Sequence, residues 1–182
     1  MTGPGSSVEV VVTHLEMTSR PSYPRPHLPL GPASALIAAE RPPRWYFLDL
    51  YTRVGAAYGW TDRHHDDPAS LEAFLHDPAV TLYTFMRAGW PHGFFLLDCR
   101  ATGRCEIGYF GLVPEAIGRG LGSFLIQTAV HMAWDRPGTE IVSVNTNSLD
   151  HPRALPIYQK AGFEPVRRET VVRLLDRDAV EA

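Results

Sequence analysis

The sequence lacks the features that mark membrane proteins and nucleic-acid-binding proteins. No apolar run approaches the roughly 20 residues that a membrane-spanning helix needs. The N-terminal residues MTGPGSSVEVVV have no basic region ahead of an apolar core, as a secretory leader would. The formal net charge of -3 leaves no excess of basic groups for a nucleic acid. We therefore expect a cytoplasmic protein with no membrane partner and no nucleic-acid partner.

Cysteine is also scarce, since Cys99 and Cys105 are the two in the chain. They flank a short turn and could face each other across a hairpin, but free core thiols are the more common state in a reducing compartment. The eight histidines are scattered apart from His64 and His65, and no spacing of Cys and His resembles a zinc site. We expect two free thiols and no bound metal.

The chain has the length and composition of one folded domain, with 182 residues of which 45% are hydrophobic and 20% charged. We expect that domain to cover residues 1–182, with frayed polar tails at 1–7 and 176–182. Repeated prolines keep residues 19–32 out of helix and sheet, so this segment should be an extended connector over the surface.

Hydrophobic periodicity predicts a mixture of strands and helices, which is typical of an α/β domain. Segments rich in β-branched and aromatic residues predict strands over residues 8–17, 80–86, 94–100, 105–113, 140–145 and 166–175. Apolar residues at helical spacing predict helices over residues 43–58, 70–76, 121–134 and 152–160.

The most informative stretch joins the strand at 105–113 to the helix at 121–134. Gly118, Gly120 and Gly122 lie at this junction, at alternate positions. The first N–H groups of a helix have no partner within the helix, the helix dipole is positive at that end, and glycines let a ligand approach the backbone. These glycines at a helix start therefore predict a phosphate site that needs no lysine.

Two common phosphate-binding motifs do not fit this loop. The dinucleotide fingerprint G-x-G-x-x-G would need glycine where Ser123 or Leu125 stands. Glu140 begins its predicted strand, whereas the acid that binds a ribose follows the end of one. The Gly-Lys-Ser/Thr sequence of a P-loop is absent.

Two segments resemble motifs of the GNAT superfamily of N-acetyltransferases. LVPEAIGRGLGSFLI is similar to its cofactor loop, HPRALPIYQKAGF is similar to a later segment, and the longer pattern resembles a bacterial subgroup. Ile117 stands where Gln or Arg is usual, so Arg119 is the candidate for the missing charge. His151 replaces a usual Asn, whose contact with the cofactor Asn145 or Asn147 could make instead.

The resemblance implies an α/β fold in which helices flank one mixed central sheet. That sheet splays open between the strands predicted at 105–113 and 140–145, and residues 105–163 form the acyl-CoA-binding core. The resemblance also implies acetyl-CoA as co-substrate, held largely by main-chain N–H groups. The candidate cofactor-binding residues are Leu112, Val113, Ile117, Gly118, Arg119, Gly120, Leu121, Gly122, Ser123 and Asn145.

For catalysis, the resemblance implies Tyr158 as the acid that protonates the departing thiolate. An unperturbed phenol pKa of about 10 keeps that hydroxyl protonated at neutral pH, and the alternative is a core tyrosine bonded to a backbone carbonyl. Glu106 is the candidate base, acting directly or through water; the alternative is a strand residue paired with a neighbouring arginine. Asp62 and His64 are reserve candidates for the base.

The N-terminal helices and the loop after them are candidates for an acceptor pocket, because aromatic and charged side chains gather there. The candidate substrate-binding residues are Tyr46, Trp60, Asp62, Arg63 and Tyr109. We expect an enzyme that moves an acetyl group from acetyl-CoA to the primary amine of a small molecule. The alternatives are a protein N-terminal or lysine acetyltransferase and a non-catalytic acyl-CoA-binding module. On the resemblance alone, the chain could also form a homodimer.

Overall fold

Seven strands and four helices make up the part of the chain that the structure describes, residues 6–175 of a computed structural model. The strands are β1 (Ser6–Met17), β2 (Ser34–Ala38), β3 (Val80–Arg87), β4 (Trp90–Asp98), β5 (Arg104–Leu112), β6 (Ile141–Asn147) and β7 (Glu164–Leu175). The helices are α1 (Arg44–Gly55), α2 (Pro68–Leu75), α3 (Leu121–Trp134) and α4 (Ala154–Lys160). The predicted tails lie outside the described residues except for Ser6 and Ser7, which belong to β1.

All seven strands form one mixed sheet in the order β2-β3-β4-β5-β6-β1-β7. Neighbouring strands are antiparallel except β5 and β6, which are parallel. The parallel pairing is short, since it runs from Arg104 opposite Ile141 to Ile107 opposite Val144. Beyond Ile107 the two strands are no longer paired and the sheet splays open. The predicted α/β fold, with a mixed sheet that splays at this junction, is confirmed.

Helices lie on both faces of the sheet, as side-chain directions on β5 indicate. The ring of Phe110 faces Tyr158 of α4, with ring centroids 5.8 Å apart. The next residue, Gly111, faces α1, because a Cβ built on it would lie 2.2 Å from Val54 Cγ1. Successive residues of a strand point to opposite faces, so α1 and α4 lie on opposite sides of β5.

The sequence misses two features near the start of the sheet. β2 is not predicted, because its five residues SALIA follow a proline-rich segment and carry no long alternation. β4 begins at Trp90, earlier than expected, because Ala88 and Gly89 form a tight turn with φ of 53° and 87°. Such two-residue turns need positive φ at both positions, and alanine gives no signal for that conformation.

The expectation of two free thiols is wrong. Cys99 and Cys105 form a disulfide, and their Cα atoms lie 4.1 Å apart. The register of β4 and β5 pairs Asp98 with Glu106, so the next position outward brings the two cysteines opposite each other. The alternative that the sequence also allowed, two cysteines facing each other across a hairpin, is therefore the one observed.

The proline-rich segment 19–32 is tied to the helices and to β3. The Tyr23 hydroxyl donates to Ala161 O at 2.9 Å, and His131 Nε2 donates to Tyr23 O at 3.1 Å. Further along, the Arg87 guanidinium donates to Pro29 O at 3.1 Å. The segment thus packs along the surface of the domain. Between residues 6 and 175, no helix is long and apolar enough to cross a membrane.

Candidate functional site

A cleft opens where β5 and β6 diverge. Its volume is about 800 Å³, which lies within the range of roughly 300–1,000 Å³ found for small-molecule sites. Its walls come from β5, from β6 and the loop after it, from the start of α3, from α4, and from the segment between α1 and α2. The two halves of the sheet and both helical layers therefore meet at this site.

The N-terminus of α3 forms part of the cleft. Gly118 and Gly120 have φ of 82° and 75°, in the left-handed region where a side chain would be strained. Both glycines line the cleft together with Ser123, and no side chain caps the start of the helix. The first N–H groups of the helix and the positive end of its dipole are therefore available to an anion, as phosphate binding requires.

The outer half of β5, residues 108–112, forms a long wall of the cleft. This stretch pairs with β4 on one side, whereas its pairing with β6 stops at Ile107. A strand edge of this kind can pair with the amide groups of an extended ligand. Val113, predicted to bind the cofactor, does not line the cleft, because its N–H donates to His92 O at 3.0 Å.

Tyr158 of α4 lines the cleft beside Phe110. Its side chain is 5% exposed, and no described residue forms a hydrogen bond with its hydroxyl. Burial, with a smaller effect from the charge of Asp150, raises the pKa of Tyr158, so the phenol keeps its proton at neutral pH. A buried hydroxyl without a partner is costly, and this one is available to a ligand.

Three aromatic side chains, Tyr51, Trp60 and Tyr109, form another part of the lining, which we call the aromatic wall. The Trp60 ring lies 5.4 Å from Tyr51 and 5.7 Å from Tyr109, centroid to centroid. Gly55 permits this packing, because a Cβ at that position would lie 2.3 Å from the Trp60 ring. The aromatic wall is therefore held rigidly against α1 and β5.

Asp150, in the loop after β6, is a lining residue that the sequence did not indicate. Its Oδ1 accepts a hydrogen bond from Trp60 Nε1 at 3.2 Å. Its Oδ2 accepts from Thr146 Oγ1 at 2.7 Å and from Asn147 N at 2.9 Å. An aspartate just ahead of a predicted helix signals a turn or a cap, but nothing in the sequence pairs it with Trp60.

Most of the predicted site residues meet at this cleft. Those that line it are Trp60, Asp62, Tyr109, Leu112, Ile117, Gly118, Gly120, Leu121, Gly122, Ser123, Asn145 and Tyr158. His151, which replaces the usual Asn, and Asn147, the alternative to Asn145 for that contact, line it as well. The structure therefore brings together residues that are distant in sequence.

Two of the predicted substrate-binding residues lie elsewhere. The Tyr46 side chain faces β3, where its hydroxyl forms a hydrogen bond with Thr84 Oγ1 at 2.8 Å. Arg63 is used within the fold, since its Nε donates to the Tyr109 hydroxyl at 2.6 Å and its guanidinium pairs with Asp66 at 2.7 Å. Neither residue lines the cleft, so the prediction that Tyr46 and Arg63 bind the substrate has no geometric support.

Glu106 and Arg119 also lie outside the lining of the cleft. Glu106 directly precedes Ile107, the last paired residue, and accepts a hydrogen bond from Asn145 Nδ2 at 3.2 Å. It lines a smaller hollow beside Arg100 and Arg104. The alternative role for Glu106, a strand residue paired with a neighbouring arginine, is not observed among the described residues, because Arg100 pairs with Asp98 and Arg104 with Glu16.

Cationic side chains that were not predicted from the sequence also line the cleft. Arg153 and Lys160, before and at the end of α4, line it, as does Arg173 of β7. His64, a reserve candidate for the base, bonds to Thr52 Oγ1 at 2.8 Å outside the cleft, and burial lowers its pKa. Within the described ranges, no group of three His, Cys, Asp or Glu side chains is arranged to hold a metal ion.

A family model described as the acetyltransferase (GNAT) family matches residues 40–163 of the chain. The chain belongs to this family. The match spans every helix and the strands β3 to β6, which are the elements that build the cleft. The GNAT resemblance of the two sequence motifs is thereby confirmed. A search of curated proteins finds no match.

Solved structures with similar folds include GNAT proteins. A GCN5-related N-acetyltransferase from Kribbella flavida is 20% identical, with a TM-score of 0.57, over 90% of this chain and 57% of its own. A tandem GNAT protein from the clavulanic acid biosynthesis pathway is 16% identical, with a TM-score of 0.63, over 91% of this chain and 53% of its own. This GNAT chain thus spans little more than half the length of these two structures.

An aminoglycoside acetyltransferase from an uncultured soil metagenomic sample, in complex with sisomicin, is 14% identical to this chain. Its TM-score is 0.56, over 71% of this chain and 87% of its own. At such identities the likeness concerns the fold alone.

Proposed function

We propose that this GNAT protein is an N-acetyltransferase that moves an acetyl group from acetyl-CoA to the primary amine of a small molecule. The observation that carries the proposal is the cleft at the split between β5 and β6. It combines a strand edge, an uncapped helix N-terminus and an unpaired phenol. The strand edge suits the amides of the pantetheine arm, the helix N-terminus suits the pyrophosphate, and the phenol suits the thioester sulfur.

Acetyl-CoA fits the groups that line the cleft. The edge of β5 at residues 108–112 pairs with the pantetheine amides, and the N–H groups at the start of α3 hold the pyrophosphate. Arg153 and Lys160 supply the positive charge that Ile117 does not provide, because they line the cleft and Arg119 does not. When bound, the thioester supplies an activated acetyl group, and the protein fixes it beside the amine.

Tyr158 and Glu106 carry the proton transfers in this proposal. The Tyr158 hydroxyl donates its proton to the sulfur as the carbon–sulfur bond breaks, and its raised pKa keeps that proton in place beforehand. Glu106 takes a proton from the acceptor's ammonium group through water, so that the neutral amine can attack, because Glu106 lies beside the split without lining the larger cleft. Asp62, which does line the cleft, is the alternative base.

The aromatic wall supports a small-molecule acceptor. Tyr109 and Trp60 provide apolar faces, and Asp62 provides a carboxylate for an ammonium group. The unpaired Tyr158 hydroxyl favours catalysis over a role in binding alone, because a binding module gains nothing from a buried unpaired donor. The sisomicin complex of a similarly folded enzyme is consistent with a small acceptor that carries amines.

A charge change at Ser123 tests binding of the co-substrate separately from folding. Ser123 is in the first turn of α3 and lines the cleft. Glutamate there favours the helix through the dipole but repels a pyrophosphate. We expect Ser123→Glu to weaken CoA binding at least 100-fold in calorimetry while its melting temperature does not fall. Ser123→Gln is the neutral control, and equal CoA affinity in both variants would contradict the assignment.

Turnover is tested by the release of free thiol from acetyl-CoA in the presence of amino acids, polyamines, amino sugars and peptides. We expect turnover with at least one of the small amines. Tight CoA binding with no thiol release for any acceptor would favour a non-catalytic acyl-CoA-binding module. Turnover with peptides alone would favour a protein acetyltransferase.

A further inference from the structure

The segment between α1 and α2, residues 56–64, reaches across the cleft to the other half of the sheet. Three of its side chains contact groups on β7 or in the loop after β6, and all of the residues involved line the cleft. The contacts are the hydrogen bond from Trp60 Nε1 to Asp150 Oδ1 at 3.2 Å, the contact between the Tyr58 and His151 rings at 6.0 Å, and the ion pair of Asp62 with Arg173 at 3.7 Å.

The contact of Trp60 with Asp150 is the best supported of the three. Asp150 is held on its own side by Thr146 and Asn147, so its Oδ1 has a fixed position. On the other side, Trp60 packs against Tyr51 and Tyr109, the other two members of the aromatic wall. The ion pair of Asp62 is weaker, because the Asp62 side chain is 69% exposed and solvent screens the interaction.

The base of the segment is fixed as well. Arg63 donates to the Tyr109 hydroxyl on β5 and pairs with Asp66, so the segment is anchored at the residue that follows Asp62. Its guanidinium also lies 4.7 Å from the centroid of the Phe74 ring on α2. A segment held at its base and bonded at Trp60 does not swing aside without breaking these interactions.

We propose that Trp60 and Asp150 close this side of the cleft and limit the acceptor to a compact amine, so that an amine within a polypeptide is excluded. The inference rests on the proposed function and deepens it by naming the residues that set the size of the acceptor. A polypeptide needs a groove that is open beyond the reacting residue, because its chain continues there. The hydrogen bond that joins Trp60, in the segment between α1 and α2, to Asp150, in the loop after β6, blocks such a continuation.

Affinities of CoA conjugates test the size limit without turnover. Three ligands are compared by calorimetry: CoA, CoA joined through an acetyl group to benzylamine, and CoA joined in the same way to the N-terminus of a decapeptide. We expect wild-type protein to bind the peptide conjugate at least tenfold more weakly than the benzylamine conjugate. Trp60→Ala and Asp150→Ala should abolish that difference, while the affinity for CoA alone stays within twofold.

Two further variants separate the closure from general loss of structure. Asp150→Asn keeps an oxygen that accepts from Trp60 Nε1, so it should retain most of the size difference that Asp150→Ala loses. Trp45→Ala removes a tryptophan that is 63% exposed and does not line the cleft, and should change none of the three affinities.

Equal wild-type binding of both conjugates, or a difference that persists in Trp60→Ala, would overturn the inference. Failure of wild-type protein to bind CoA alone would overturn the proposed function, and the size limit with it.

Discussion

Substitution of Gly111 by alanine tests how closely α1 is seated on β5. A Cβ at Gly111 would lie 2.2 Å from Val54 Cγ1, well inside the 3.4 Å at which ordinary contact begins. Val54 is buried on α1, and a β-branched side chain in a helix has almost no freedom to change its rotamer. The strand or the helix must therefore move, and overpacking of this kind costs about 2 kcal/mol. For a domain of this length, that corresponds to a fall of roughly 4–8 °C in melting temperature.

Gly108 on the same strand provides a matched control. A Cβ there would meet Leu96 Cδ2 at 3.7 Å, an ordinary contact, and neither glycine has a positive φ. We expect Gly108→Ala to change the free energy of unfolding by less than about 0.5 kcal/mol, whereas Gly111→Ala lowers it by about 2 kcal/mol. Urea unfolding followed by circular dichroism measures both. Equal stabilities of the two variants would refute the reasoning.

Val54→Ala provides a rescue. Alone it removes two buried methyl groups and costs about 2 kcal/mol. Combined with Gly111→Ala, it removes the atom with which the new Cβ collides, so the double variant should be at least about 1 kcal/mol more stable than the sum of the single effects predicts. Strictly additive effects would show that steric conflict between these two residues is not the cause.

Three other changes test separate parts of the structure. Tyr158→Phe should lower kcat about 100-fold without changing CoA affinity, and an unaltered kcat in this variant would remove Tyr158 as the acid. Since burial raises the pKa of Tyr158 above its ordinary value of 10.0, the kcat of the wild-type protein should show no loss from ionisation of Tyr158 below that pH. The denatured protein should react with a thiol reagent only after reduction, and two reactive thiols before reduction would contradict the disulfide. Cys99→Ser should lower the free energy of unfolding by about 2 kcal/mol, as expected for a crosslink of sequence separation 6. Asp67 caps α2, and hydrogen bonds from Ser70 lower the pKa of its carboxyl group. Because this stabilisation requires the carboxylate, Asp67→Ala should have a lower melting temperature than wild type at pH 7, and the two should converge as the pH falls below the ordinary aspartate pKa of 3.8. A difference in melting temperature that persists in acid would contradict the charged cap.

The glycine loop and α3 could be predicted because their signals are local. Helical spacing predicts residues 121–134, and alternate glycines predict an uncapped helix start, which is the arrangement observed. The split of the sheet followed from the family resemblance carried by short motifs, and the register of β5 and β6 agrees with it. For the glycine loop and α3, the physical cause lies within a few neighbouring residues.

The parts of the cleft that could not be predicted depend on pairs of residues distant in sequence. Asp150 and Trp60 meet only because β6 and α1 are brought together by the sheet. Arg63 has the charge for a carboxylate ligand, but Tyr109 and Asp66 occupy it. The disulfide was missed for a different reason, since thiol chemistry was inferred from an expected compartment and not from hairpin register.

The first strand of the chain lies between the last two strands. β1 pairs with β6 along one edge and with β7 along the other, although most of the domain separates them in sequence. Strands β2 to β5 pair with their sequence neighbours and can associate as they are synthesised, whereas β1 has no partner until β6 has been made. β6, the wall facing β5, gains its second neighbour only when β1 pairs with it. The wall of the cleft that β6 forms is therefore completed late in folding, when the first and the later strands of the sheet come together.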